Sequence, residues 1–263
     1  MAESQQVLFA PRFLESMTGA NILRAPRIAL VELIANAWDA GATRVDVKWP
    51  ASRTGRFEVK DNGHGMTAEE FDHRWRTLKY DRLDEQGATV NVTKDGVSIA
   101  RRVFGRNGIG RFAGFCFADQ YFVESWKDGA STTHRVEHDD ESPVKTELIS
   151  SKKRRGHGTR VFMEDVEAEL PSEDDVRSEI GTRFLSDPSF DVFVNAKRVH
   201  LGDIPDTQVE RETINVPDVG EIELVAIESS GTDRSTLQHG IAWHVNGRLV
   251  GDCSWKGRDK LWM

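Results

Sequence analysis

From residue 26 onward the apolar positions repeat with a helical period. Leu30, Ile34 and Ala37 fall on one face, while Glu32, Asn36 and Asp39, at i, i+4 and i+7, fall on another. Pro26 suits a first helical turn and Gly41 suits an exit, so the pattern predicts a helix ending near residues 40–41. Residues 44–49 (RVDVKW) and 56–60 (RFEVK) switch to period two and predict strands. Thr67, with Glu70 three residues on, predicts a capping box opening a helix to about residue 78. Residues 79–104 show no clean period and read as a long mobile loop. A glycine-rich turn and a short helix follow over 105–115.

Strand patterns then dominate, at 120–126, 132–136, 144–149 and 159–163. Ser172 and Glu173 open a further helix to about residue 185, and a strand with a polar turn covers 191–199. Residues 9–17 suggest an arm or helix, and 221–263 hold two more strand candidates. This order predicts an α+β fold, with helices on one face of a mostly antiparallel sheet. It does not suggest alternating strand–helix–strand units.

Composition narrows the class. The chain has 263 residues, 38 % hydrophobic and 30 % charged, which reads as soluble and globular. The longest apolar stretch, 28–37, is interrupted by Glu32 and Asn36 and falls far short of the roughly 20 residues that span a bilayer. Residues 1–6 have no secretory signal pattern. Two cysteines, Cys116 and Cys253, give no disulfide framework and fit a cytoplasmic protein, with Cys116 read as a buried small hydrophobe. A net charge of −8 argues against bulk nucleic-acid binding but leaves room for a local basic groove.

Four short motifs carry candidate chemistry. The first is the polar stripe Glu32, Asn36, Asp39, which is costly if buried without partners. Alone, it is equally the solvated face of an amphipathic helix. The second, Asp61-Asn62-Gly63-His64-Gly65-Met66, has two glycines that let backbone approach a flat ligand and a carboxylate that can accept from an exocyclic amine; alone it is a tight turn. The third runs Gly105-Arg106-Asn107-Gly108-Ile109-Gly110-Arg111 into a short helix, so its N–H groups can face phosphates. It is not a P-loop. The fourth is the pair Gly158-Thr159 at the start of a strand.

In this order and spacing, over about residues 9–200, the four motifs resemble the N, G1 and G2 boxes and the final threonine of the GHKL superfamily. That group includes gyrase, the large heat-shock chaperone, histidine kinases and mismatch-repair ATPases. The spelling GRNGIGRFAGF looks nearest to the chaperone and microrchidia-like branches. The resemblance implies a Bergerat-fold two-layer sandwich with ATP between helices and a lid, over residues 1–200. Residues 201–263 would be an extension that completes the sheet or begins a transducer-like region.

By the same resemblance, Glu32 would activate water, Asn36 would ligate Mg²⁺, and Asp39 would support them. Asp61 would accept from the adenine amine, helped by a water on Thr159, with Gly63 and Gly65 beside the base and Met66 packed on it. Gly105, Gly108 and Gly110, with Asn107 and Ile109, would surround the phosphates, and Arg106 and Arg111 would supply lid charge. The implied function is slow Mg-dependent ATP hydrolysis that drives lid closure and a nucleotide-dependent homodimer, coupled to a downstream domain or partner. The alternatives are a nucleotide-gated interaction module and a histidine-type kinase, the latter disfavoured because no phosphoacceptor helix is visible.

No lysine is assigned to the γ-phosphate: Lys79, Lys94, Lys256 and Lys260 are weak candidates. Three further features are set aside. Residues 152–155 (KKRR) read as a solvated hairpin loop, His134 and His138 as surface residues, and Trp38 as core packing.

Overall fold

The computed structural model describes residues 20–78, 80–94, 96–105, 108–138, 143–184, 189–199, 209–217, 220–227, 244–245 and 248–249. The expected arm at 9–17 and the terminal lysines 256 and 260 lie outside them. Helix α1 (Ala20–Arg24) leads into α2 (Pro26–Asp39), which starts on Pro26 and ends where Gly41 takes a left-handed φ of 73°. Strands β1 (Arg44–Lys48) and β2 (Phe57–Asp61) pair antiparallel. Helix α3 (Ala68–Arg76) opens with both reciprocal bonds of the Thr67–Glu70 capping box, worth about 1 kcal/mol against an uncapped start.

Lys79 lies outside the described residues, and the described residues of 80–104 depart from the expected loop. They form helix α4 (Arg82–Gln86) and an antiparallel hairpin, β3 (Thr89–Lys94) with β4 (Val97–Arg102). Asp81 caps α4 through the N–H groups of Leu83 and Asp84. The hairpin is held by a buried cation: Arg101 donates to the carbonyls of Trp38 and Ala42 and stacks 4.1 Å over the Trp38 ring. Lys94 ion-pairs with Asp191 on the sheet. Lys94 is therefore tied to the sheet and does not line the cavity described below.

A 3₁₀ helix (Gly110–Cys116) follows the glycine turn. Next come β5 (Gln120–Lys127), β6 (Ala130–Glu137), β7 (Lys145–Lys153), β8 (Gly158–Met163), α5 (Glu173–Phe184), β9 (Asp191–Val194) and β10 (Lys197–Arg198). One eight-stranded sheet runs β10-β9-β1-β2-β8-β5-β6-β7, antiparallel except for the β1–β9 pair. It is the mostly antiparallel mixed sheet of the α+β expectation. Strands β11 (Val209–Val216) and β12 (Gly220–Ile227) form their own two-stranded sheet, as do β13 (His244–Val245) and β14 (Arg248–Leu249).

Period-two alternation sends Val45, Val47, Val59, Val123, Val161 and Val192 to one face of the sheet. There they share a core with Leu30, Ile34 and Trp38 of α2 and Val176 and Ile180 of α5. Trp38 packs against Phe104 and Phe190 and donates to the Arg102 carbonyl, as core packing requires. Cys116 is buried, and burial pushes its thiol up to about 12. His134 is not a surface residue: it is buried and stacks 3.8 Å from Phe71. A strand residue on the inner face must pack, and imidazole is apolar enough to do so when burial holds it neutral. Among the described residues, no helix is long and apolar enough to cross a membrane.

Candidate active site

Between α2, the sheet and α4 lies a cavity of about 450 Å³. Residues from all four motifs line it: Glu32, Asn36 and Asp39; Asp61, Gly65 and Met66; Gly105, Gly108, Ile109, Gly110 and Arg111; and Thr159. Arg106 and Asn107 lie outside the described residues. Gly63 does not line the cavity. It packs against the end of α2, where an added Cβ would stand 2.7 Å from the Ala40 carbonyl oxygen.

One polar cluster surrounds Asp61, the last residue of β2. Its Oδ1 accepts from the N–H of Gly63 at 2.7 Å and of Thr159 at 3.3 Å. Burial pushes the carboxyl up to about 6, against the pull of those N–H groups and of His157. Ser125 stands beside it, accepting from the Met66 N–H and lying 3.3 Å from the Thr159 hydroxyl. Gly65 has a φ of 65°, and an added Cβ would come within 2.2 Å of the Trp126 carbonyl oxygen. Only glycine lets this turn lie so close to β5.

A second cluster faces the glycine turn. A Cβ at Gly110 would stand 2.9 Å from Glu32 Oε2 and 3.4 Å from Asn36 Oδ1. Along the stripe Asp39 is buried, Glu32 half-buried and Asn36 exposed, and the first two turns deliver two oxygens side by side to the start of the 3₁₀ helix. Asp39, one turn on, accepts the N–H groups of Phe104 and Gly105, both at 2.8 Å. It fixes the entry of the glycine turn. Arg111 is not an exposed lid charge. It is buried, donates to the Thr77 carbonyl and stacks on Phe112, and burial lowers its guanidinium to about 10.

Three contributors were not singled out from the sequence. Ser125 is polar at an inward position of β5, the next one after apolar Tyr121 and Val123, and that break in alternation is the signal that could have found it. His157, the residue before the Gly158-Thr159 pair, donates from Nδ1 to the Gly63 carbonyl. Arg82 lines the cavity from α4; its Nη2 donates to the Asp39 carbonyl while its buried Nη1 has no hydrogen-bond partner. Nothing in its sequence context marked it.

Residues 24–165 match the family model described as histidine kinase-, DNA gyrase B- and HSP90-like ATPase, which covers more than half of the chain. The chain belongs to the GHKL ATPases. It is 26 % identical over 201 residues to a putative type II restriction enzyme, HgiDII, of Herpetosiphon aurantiacus, covering 70 % of this chain and 30 % of that protein. It is 34 % identical over 89 residues to the DNA mismatch repair protein MutL of Xylella fastidiosa, covering 33 % and 14 % respectively. MutL of Shewanella woodyi is 27 % identical over 96 residues. The chain thus spans less than a third of the length of these relatives. Family membership establishes an ATP-binding fold of the Bergerat type, and the motifs fall within the matched segment.

Proposed function

We propose that this GHKL domain binds ATP with Mg²⁺ and hydrolyses it slowly, with Glu32 as the base. The observation that carries this reading is the cavity's division into two polar clusters. Asp61 with Thr159 offers acceptors for a base. Glu32 and Asn36, against Gly110, offer oxygens beside a turn whose N–H groups suit phosphates. Asn36 Oδ1 and the Glu32 carboxylate are hard oxygen donors. That set suits an ion taking few protein ligands, so the site fits Mg²⁺, with Asn36 as its holder. Bound there, Mg²⁺ would supply positive charge against the phosphate oxygens. Arg82 would add charge from α4.

Asn36→Ala is expected to abolish the gain in ATP affinity that Mg²⁺ gives. Calorimetric titration with Mg²⁺ and with a chelator measures that gain directly. An undiminished Mg²⁺ effect in the variant would remove Asn36 as the metal ligand.

Nucleotide also acts on α4 in this reading, closing it as a lid and favouring a homodimer that moves a downstream domain or partner. Lids are drawn from the less stable parts of a structure. A non-hydrolysable ATP analogue should therefore raise hydrogen-exchange protection across 82–86. The β3–β4 hairpin, already clamped by Arg101 and Lys94, should change little. Equal responses in the two segments would show that the lid boundary is misplaced.

A further inference from the structure

The sheet face opposite the cavity carries a built cationic surface. Alternation puts Lys48, Glu58, Phe162, Phe122, Arg135 and Glu147 in one cross-strand row, and Asp46, Lys60, Arg160 and Glu124 in the next. Neither Phe122 nor Phe162 belongs to the hydrophobic core, and Trp126, though buried, is also outside it. Phe122 stacks on Phe162, and guanidinium groups cover Phe162 and Trp126. Arg56 and Arg160 lie 4.9 and 4.3 Å from the Phe162 centroid, and Arg154 lies 3.5 Å from that of Trp126.

Two nearly buried carboxylates hold this layer in place. Glu124 pairs with Lys152, Arg154 and Arg160 at 2.8–2.9 Å. Glu58 is reached by Lys48, Arg56 and Arg160 at 3.3–3.6 Å. The side chains of Glu124 and Glu58 are 2 % and 6 % exposed, whereas their cationic partners are 26–63 % exposed. These two acids therefore lie beneath their cationic partners, which face out. Burial works against the charge on Glu124, but Lys152, Arg160, Arg154 and Ser131 still draw its carboxyl down to about 2. Acids with exposed side chains flank the patch, Glu164 against Arg56, Asp46 against Arg44 and Glu147 against Arg135. The basic run at 152–155 is thus not a plain solvated loop: Lys152 and Lys153 are the last two residues of β7, and Arg154 stacks on Trp126.

We propose that this sheet face binds single-stranded nucleic acid. Charge complementarity selects a polyanion, since Lys48, Arg56, Lys60, Lys152, Arg154 and Arg160 outnumber Asp46, Glu58, Glu124 and Glu164 among them, in a chain whose net charge is −8. Stacking selects the single strand. Flat guanidinium planes anchored on rings offer platforms to unpaired bases, which a duplex keeps inside its own stack. Adjacent strands about 4.8 Å apart carry the cations from β1 to β7, the reach of a short oligonucleotide. The nucleotide cavity opens on the opposite face, so this surface is independent of the ATP reading.

The test is fluorescence anisotropy of the full chain with a labelled twenty-nucleotide thymidine strand. At about 0.7 per neutralised phosphate, the patch should give a log–log salt slope of about −3 to −4. The combined variant K48E/K60E/K152E, at side chains not fully buried, should bind at least about tenfold more weakly and lose about 2 from the slope. An ATP analogue should not displace the strand. An unchanged slope in a variant with wild-type melting temperature would overturn the proposal. So would equal affinity for a duplex of the same length, or for a polyglutamate peptide, the latter pointing to an acidic protein partner instead.

Discussion

Glu32→Ala is expected to lower ATP turnover by about 10²–10⁴-fold while leaving ATP affinity close to that of the wild type. Glu32 lies one helical turn before Asn36 on α2, and both oxygens face Gly110. A carboxylate there can take a proton from water beside the terminal phosphate while Asn36 holds the metal. Removing it also removes a negative charge near the phosphates, so binding should hold or tighten. Any nucleotide-dependent dimer should then accumulate, because ATP is no longer consumed, and light scattering would detect it. Steady-state phosphate release and calorimetric affinity on one preparation decide the matter. Wild-type turnover in the variant would remove Glu32 as the base and favour a gated binding module. Loss of affinity together with turnover would make Glu32 a binding residue instead.

Much of this site was legible because its geometry is local. Positions 32, 36 and 39 share a face on any α-helix, and a capping box needs only Thr67 and Glu70. The strands around Val45, Val59 and Val161 announce themselves by alternation, since one face of the sheet is packed and the other is not. What failed was long-range. The β3–β4 hairpin alternates weakly because its burial is mixed, and Arg101, its main anchor, bonds to carbonyls about sixty residues away. The Asp95-Gly96 pair between Lys94 and Val97 was the available hairpin signal.

The same distinction explains the arginines. Arg111 sits in the glycine box by sequence, yet its side chain turns inward to Thr77. Arg82 sits in no motif, yet α4 brings it to the cavity. The cationic outer face was read only as a short basic run, because its members come from β1, β2, β7 and β8 and meet only through strand pairing. The carboxylates that organise it, Glu58 and Glu124, look like ordinary surface residues until their burial is known.

Asp61→Asn should weaken ATP binding by about ten- to a hundredfold, the loss of one charge-assisted hydrogen bond of about 1.5–3 kcal/mol. The variant should still fold, because the asparagine Oδ1 can keep both N–H bonds, from Gly63 and Thr159. Only the remaining atom changes, from an acceptor to a donor facing the adenine amine. The wild-type carboxyl adds a pH signature. Its value in the folded chain, about 6, lies above its free value of 3.8, so folding binds extra proton between the two. Its contribution to stability is therefore present below about 4 and lost as pH rises through 6. Adenine binding runs the other way: it prefers the ionised acceptor, so affinity should rise as pH passes through about 6, with proton release. Adenosine is the probe of choice, since it has no phosphate titrating nearby, and calorimetry in buffers of different ionisation heat counts the protons. Asp61→Asn should bind weakly and without that pH dependence. Equal affinity of the two proteins for adenosine across the pH range would take Asp61 out of the base-binding site.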